Sequence, residues 1–331
     1  MMKRVIVLLL MVLLLVVSPL VGCSNSSGGV TNPLALVPAK ANMVGHVGLS
    51  TILQDKDLTG IYDKVPKDAS NPQTFNDALT QLKDEYNIDL KGFQEVVFFA
   101  DVSQSLDEGN YSAAIVKGTF NKNDLIAAIQ SEAGVQLSTI KYKDSEIYTD
   151  EFEETAIAFL GDSMFVMGMM QPVKDVINVR EGNSKALSGG VLDTYNNLGD
   201  ALIKVAVAVP PGVTEGDLGQ SASEFLGNIS AFDKVKSVGM TLSKGNSSVA
   251  LNVKLCCADS DSAQSIEDSI NGLIGFIGLI MSMSGDQQQN QTLNNLLNKV
   301  EVSRSDSCVN VSVSMTITEI EDLIQSSNQT T

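Results

Sequence analysis

The sequence predicts an α+β fold: two similar halves of mainly antiparallel sheet with helices packed on one face, preceded by an N-terminal export segment. Three observations predict it. Two hairpin patterns with glycine at the turn recur, each is followed by a polar helix start and an amphipathic stretch, and the order of elements before and after each hairpin is the same. The first hairpin runs from Phe93-Gln-Glu-Val-Val to Val102 and from Gly109-Asn110-Tyr-Ser-Ala-Ala to Thr119. The second runs from Phe232-Asp-Lys-Val-Lys to Ser243 and from Gly245-Asn246-Ser-Ser-Val-Ala to about Cys257.

In chain order, Met43 to Ser50 reads as a strand, Thr51 to Val65 and Gln73 to Tyr86 as helix, and then comes the first hairpin. Asn121 to Ala133 clusters Leu125, Ile126, Ala128 and Ile129 at helical spacing. Leu137 to Tyr148, Thr155 to Leu160 and Met164 to Met169 return to strand, and Pro172 to Val179 closes the half as helix. Residues 183 to 200 join the halves. Leu202 to Val209 then reads as strand, Glu215 to Leu226 as helix, and the second hairpin precedes a helix beginning near Asp259, where Ser and Asp can accept from the free N–H groups of the first turn. An amphipathic stretch at Leu293 to Val300, strands at Val300 to Ser305 and Cys308 to Thr316, and a helix at Thr318 to Ser326 complete the order β-α-β-β-α-β-β-α twice. Duplication and chance likeness within one continuous domain both remain open, because the shared hairpin motif is short.

The 331 residues carry 22 basic and 39 acidic side chains, a formal charge of −17. Lys3 and Arg4 belong to a segment of different character: a basic start, the unbroken apolar run Val5 to Val17, then Ser18-Pro19. Thirteen residues rise roughly 20 Å as helix, short of the ~30 Å hydrocarbon core, so this is a secretory signal rather than a span. It ends in Leu20-Val21-Gly22-Cys23, which resembles the lipobox of prokaryotic lipoproteins. The resemblance implies cleavage before Cys23, a diacylglyceryl group on its thiol, and firm attachment to the outer face of the cell membrane. Residues 1–22 are then signal peptide, 23–33 a flexible tether (SNSSGGVTNP), 34–198 the first half and 199–331 the second. Beyond the signal, Leu36-Val37-Pro38-Ala39, FNKNDLIAAI and AIAFLGDSMFVMG are similar to uncharacterised prokaryotic envelope lipoproteins grouped under domains of unknown function, a likeness over about Leu34 to Val179 that implies no activity.

Without Lys3 and Arg4 the mature charge deepens to about −19, which argues against nucleic acid as a partner, since phosphates are bound by clustered Lys and Arg. His46 is the sole histidine and excludes multi-histidine metal sites within one chain; alternation places it on the strand face of Val44, as an ordinary polar strand residue. No G-x-S-x-G elbow occurs. Asp150 to Glu154 lacks the spaced ligands and glycine turn of a calcium loop and reads as a solvated turn. No catalytic set, cofactor or metal site is expected, and the chain is not read as an enzyme.

With Cys23 lipidated, Cys256, Cys257 and Cys308 remain. Adjacent strand residues point to opposite faces, so Cys308 is expected to pair with Cys256 or Cys257 but not to suit both. The remaining apolarity is concentrated at Ile270 to Met283, where Gly272, Gly275 and Gly278 recur every third residue among Leu273, Ile274, Phe276, Ile277 and Ile280. A helix apolar nearly all round is buried or bound to something apolar. Three readings stand: a core helix with glycines permitting close approach, the lining of an apolar ligand cavity formed by Leu273, Ile274, Phe276, Ile277 and Ile280, or a surface that touches membrane or partner. The expectation is therefore a membrane-anchored extracytoplasmic lipoprotein acting as a non-catalytic binding or interaction module for an envelope protein; the alternative is a carrier of a hydrophobic ligand or lipid near residues 270–283.

Overall fold

The computed structural model describes residues 32–67, 71–103, 111–209, 233–283 and 294–327, with side chains in the long helix described to Ile277. The helix read at Glu215 to Leu226, Cys23 and the tether through residue 31 lie outside the described residues, as does Ile280 as a side chain; Pro33, read as the end of the tether, is buried in the short turn Pro33–Leu36.

Twelve strands form one antiparallel sheet in the order β11-β12-β10-β9-β8-β1-β2-β3-β7-β6-β5-β4. The first half supplies β1 (Met43–Val47), β2 (Phe93–Asp101), β3 (Tyr111–Gly118), β4 (Ser138–Tyr142), β5 (Ser145–Thr149), β6 (Thr155–Phe159) and β7 (Met164–Met169). The second supplies β8 (Ile203–Ala208), β9 (Val235–Lys244), β10 (Ser248–Cys257), β11 (Val300–Ser305) and β12 (Cys308–Thr316). The helices are α1 (Leu49–Gln54), α2 (Lys56–Lys64), α3 (Phe75–Tyr86), α4 (Lys122–Ala133), α5 (Met170–Arg180), α6 (Gly190–Asn196), α7 (Ser260–Met283) and α8 (Ile317–Ser327).

The two halves agree in register as well as in order. Outward from the centre, β1-β2-β3-β7-β6 is matched by β8-β9-β10-β12-β11, and the hairpin β4-β5 is an addition at the first half's edge. Phe93 pairs with Gly118 and Glu95 with Lys117, leaving Gln94 as an extra residue; Val235 pairs with Cys257 and Ser237 with Cys256, leaving Lys236 in the same place. Next, Lys117 pairs with Met164 as Cys256 pairs with Cys308. The Gly118 N–H donates to Ser163 O at 2.9 Å and the Cys257 N–H to Ser307 O at 2.8 Å. Met43 and Ile203 are likewise equivalent, so the antiparallel joint between β1 and β8 is centred on the pair Gly45 and Val205. This register sets Phe93 against Val235, three residues beyond the Phe232 with which the sequence motif aligns it.

Alternation divides the first half's core between the two sides of the sheet. On the front, Val44, Val97, Phe99, Tyr111, Ile115 and Val166 pack under Leu36, Val37, α5 and α6. On the back, Val47, Val96, Ala114, Val116 and Phe165 pack under α1 and α4. The expected α+β class is present, but its layering differs: helices cover both faces of the first half, because its strands are apolar on both sides. In the second half the front is apolar only beside the joint, where Ala206 of β8 lies under α6, and the outer strands have one apolar side. There Val235, Cys257 and Val309 pack on the back against Ala263 and Ile266 of α7.

Local chemistry sets the element ends. Thr74 and Asp77 form a reciprocal capping box at α3, Asn121 caps α4, and Asn87 and Gly134 end these helices in left-handed geometry. The stretch Leu137 to Tyr148, expected as one strand, folds as the hairpin β4-β5, with Lys143 at φ 53° in the turn. The joining segment contains α6, which begins after Gly189 at φ 66°.

Candidate functional site

Two regions merit attention: a buried polar cluster at the joint between the halves, and the back of the second half. In the first, His46 on β1 is 3% exposed, and its Nε2 lies 2.8 Å from Oε2 of Glu95 on β2. The carboxylate can only accept, so Nε2 carries the proton; Nδ1 is buried and has no partner in the structure. The Lys117 ammonium on β3 donates to Glu95 Oε1 at 3.1 Å. Burial raises the Glu95 carboxyl's pKa, but His46 and Lys117 together hold it below its ordinary value. Lys204 on β8, directly across from His46 and 4% exposed, stacks its Nζ 4.3 Å from the ring centre of Tyr195 on α6. Burial lowers the Lys204 pKa against the opposing pull of Asp200, and burial followed by the Glu95 charge raises that of Tyr195.

His46 therefore lies on the face of Val44, as alternation requires, but under cover rather than in solvent. Through Glu95 the buried His46 is tied to Lys117, which links β1, β2 and β3 beside the joint. Sequence reasoning missed this cluster because Glu95 and Lys117 come from strands far along the chain.

The second region is built by β8 to β12 and α7. The Ser262 N–H donates to the Asp259 carboxylate at 2.7 Å, fixing the start of α7. Arg304 on β11 then pins the first turns, with Nε 3.0 Å from Glu267 Oε2 and an Nη1 donor 3.1 Å from Ser260 Oγ. Ala263 and Ile266 are fully buried, yet past Ile270 the contact fades. Leu273, Ile274 and Ile277 are half-buried and Phe276 is 58% exposed. A Cβ placed on Gly272 or Gly275 would meet nothing within 4 Å, so these glycines do not serve close packing. The turns of α7 that lie buried over β10 to β12 precede Ile270, and of Ile270 to Met283, read as a core helix, no described residue is fully buried.

On the sheet itself, Val253, Leu255, Val311 and Val313 of this back face are only half-buried and Leu251 is exposed. At its lower edge, Asn295, Leu296, Lys299, Met315, Glu319 and Leu323 line a cavity of about 240 Å³. Lys299 Nζ contacts Glu319 Oε1 at 2.6 Å, and this contact, with the N–H and hydroxyl of Thr316, holds the Glu319 carboxyl down to about 2.

The cysteines sort by face. Cys256 and Cys308 are directly opposite on the front and form a disulfide; Cys257 points to the back and is a buried free thiol whose pKa is raised by burial and by Asp259. In the chain-entropy account a cross-link over 52 residues restrains the unfolded chain by about 4 kcal/mol. At Asp150 to Glu154, Asp150 accepts from the Glu154 N–H at 3.0 Å and the Thr155 hydroxyl at 2.7 Å, closing an exposed turn. No cluster of three or more metal-ligating side chains is found among the described residues. Among them, too, no helix is long and apolar enough to cross a membrane.

No family model matches the chain, and no curated protein matches it. Among solved structures, crystal form III of TP0453 is similar at a TM-score of 0.48 and 7% identity, covering 89% of this chain and 98% of that one. Crystal form I of the same protein gives 0.43 and 10% identity over 89% and 97%, and form IV 0.45 and 8% over 88% and 96%.

Proposed function

We propose that this is a lipid-anchored extracytoplasmic lipoprotein, held to the membrane through Cys23, which acts without catalysis as an interaction module and engages its partner through the back of its second half. The observation that carries the reading is the incomplete cover of that face among the described residues: Leu251 on the sheet and Phe276 on α7 are exposed large apolar side chains, and Val253, Leu255, Val311 and Val313 are half-buried. Apolar surface left uncovered on a folded domain is where interaction sites are found. An envelope protein presenting a complementary apolar surface is the partner such chemistry fits.

The second reading, a carrier of a hydrophobic ligand, draws on the half-buried Leu273, Ile274 and Ile277 of α7. Organic extraction of the purified protein followed by mass spectrometry separates the readings: an interaction module yields no stoichiometric lipid, and a carrier yields one. The anchor is tested by Cys23→Ser, which should transfer the protein from the membrane to the soluble fraction. Unchanged membrane partitioning would refute the lipobox assignment.

A further inference from the structure

We propose that the Cys256–Cys308 disulfide is a redox latch that holds the outer hairpin β11-β12 onto the rest of the sheet. The comparison of equivalent strands motivates it. In the first half, the hairpin β6-β7 is held from both sides: Ala156, Ile157, Ala158, Met164, Phe165 and Val166 are all buried. In β11-β12 only Val309 is buried. The front of this hairpin carries Glu301, Ser303, Asn310 and Ser312, with nothing apolar to pack. What remains are the contacts of Val302, Arg304, Val309 and Val311 with α7 on the back, the β10·β12 backbone hydrogen bonds and, on the front, one covalent tie, placed where the first half has the non-covalent pair Lys117 and Met164.

The tie sits on the open front face, and Cys256 and Cys308 are both partly exposed. A dithiol can therefore reach it without opening the core. In the exchange, one thiolate of the dithiol attacks a disulfide sulfur and forms a mixed disulfide, and its second thiol closes on the first. The dithiol leaves oxidised as its own disulfide, having given up two electrons and two protons, and Cys256 and Cys308 each end as a thiol. Cys257 takes no part, because it faces the opposite side of β10. Opening β12 from β10 would uncover Val309 and the back face beneath α7, so the latch sets how much apolar surface the second half can present.

Hydrogen–deuterium exchange on the full-length protein, oxidised and after treatment with dithiothreitol, tests this. Reduction should speed exchange of amides in 300–316 by roughly a thousandfold at most, the limit set by the lost loop restraint, and by at least tenfold, while 155–169 stays unchanged. The pair Cys256→Val and Cys308→Val, which puts strand-favouring side chains in place of the thiols, should reproduce the reduced pattern under oxidising conditions, and Cys257→Ser should not. Equal protection of 300–316 in both states would overturn the latch. So would loosening of 155–169 to the same extent, or free Cys256 and Cys308 thiols in protein isolated from the envelope under alkylating conditions.

Discussion

The two halves share strand order, register and bulge position, yet one is sealed on both faces and the other is closed only in part, on the back by the first turns of α7 and on the front at β8 by α6. At equivalent front positions the first half has Val97, Phe99, Ala113, Ile115 and Val166, where the second has Gly239, Thr241, Asn252, Lys254 and Asn310. The back positions stay apolar in both: Ala114, Val116 and Phe165 against Val253, Leu255 and Val309. This difference accounts for the helices that follow β7 and β12. α5 buries Val173, Val176 and Ile177 on the front, whereas α8, with no apolar front to cover, packs on the back beside α2. Backbone pairing thus fixes the sheet, and side-chain polarity decides how many layers form on it.

The largest effect that would sharpen this contrast comes from truncating equivalent residues. Ile115→Ala should cost about 4 kcal/mol in urea unfolding, because a fully buried side chain leaves a cavity. At the equivalent position, Lys254→Ala should change stability by no more than about 0.5 kcal/mol. Comparable losses at both sites would contradict the one-sided packing of the second half's outer strands.

A smaller effect tests the joint. Glu95→Gln keeps the shape but removes the charge shared by His46 and Lys117, and should cost roughly 2 kcal/mol at pH 7. The folded carboxyl is held below its ordinary value, so its contribution is present above the unfolded value of about 4.3 and is lost as pH falls through the folded one. Unfolding followed from pH 6 to pH 3 should show the native protein converging on the variant at the acid end. Parallel curves across that range would remove Glu95 from the account.

The smallest effect concerns α7. Gly272→Ala meets open space and should stabilise the helix by up to about 1 kcal/mol, whereas Gly45→Ala would drive a Cβ to 2.1 Å from the Phe98 ring and should destabilise the joint. A destabilising Gly272→Ala would restore the reading in which α7 glycines serve close approach.

Much of the fold was legible from residue order. Strands such as Val300–Ser305 and Cys308–Thr316 alternate cleanly and end in turn residues, so their bounds follow from period and punctuation. The β4-β5 turn was hidden, because Lys143 adopts a left-handed conformation with neither glycine nor proline to announce it. α6 was hidden in a Ser-Gly-Gly segment that resembles a linker. The polar joint was illegible for a different reason: His46, Glu95, Lys117 and Lys204 meet only through strand pairing. Nor does an apolar composition reveal how far a helix is covered, and α7 is packed over its first turns and open beyond them.

The central claim, one sheet with a sealed half and a half-open one, is tested most directly by native-state hydrogen exchange on the oxidised chain. The account predicts that amides of β3 and β7 exchange only through global unfolding, while their equivalents in β10 and β12 exchange at least about a hundredfold faster through local opening. Equal protection of the two sets would contradict it.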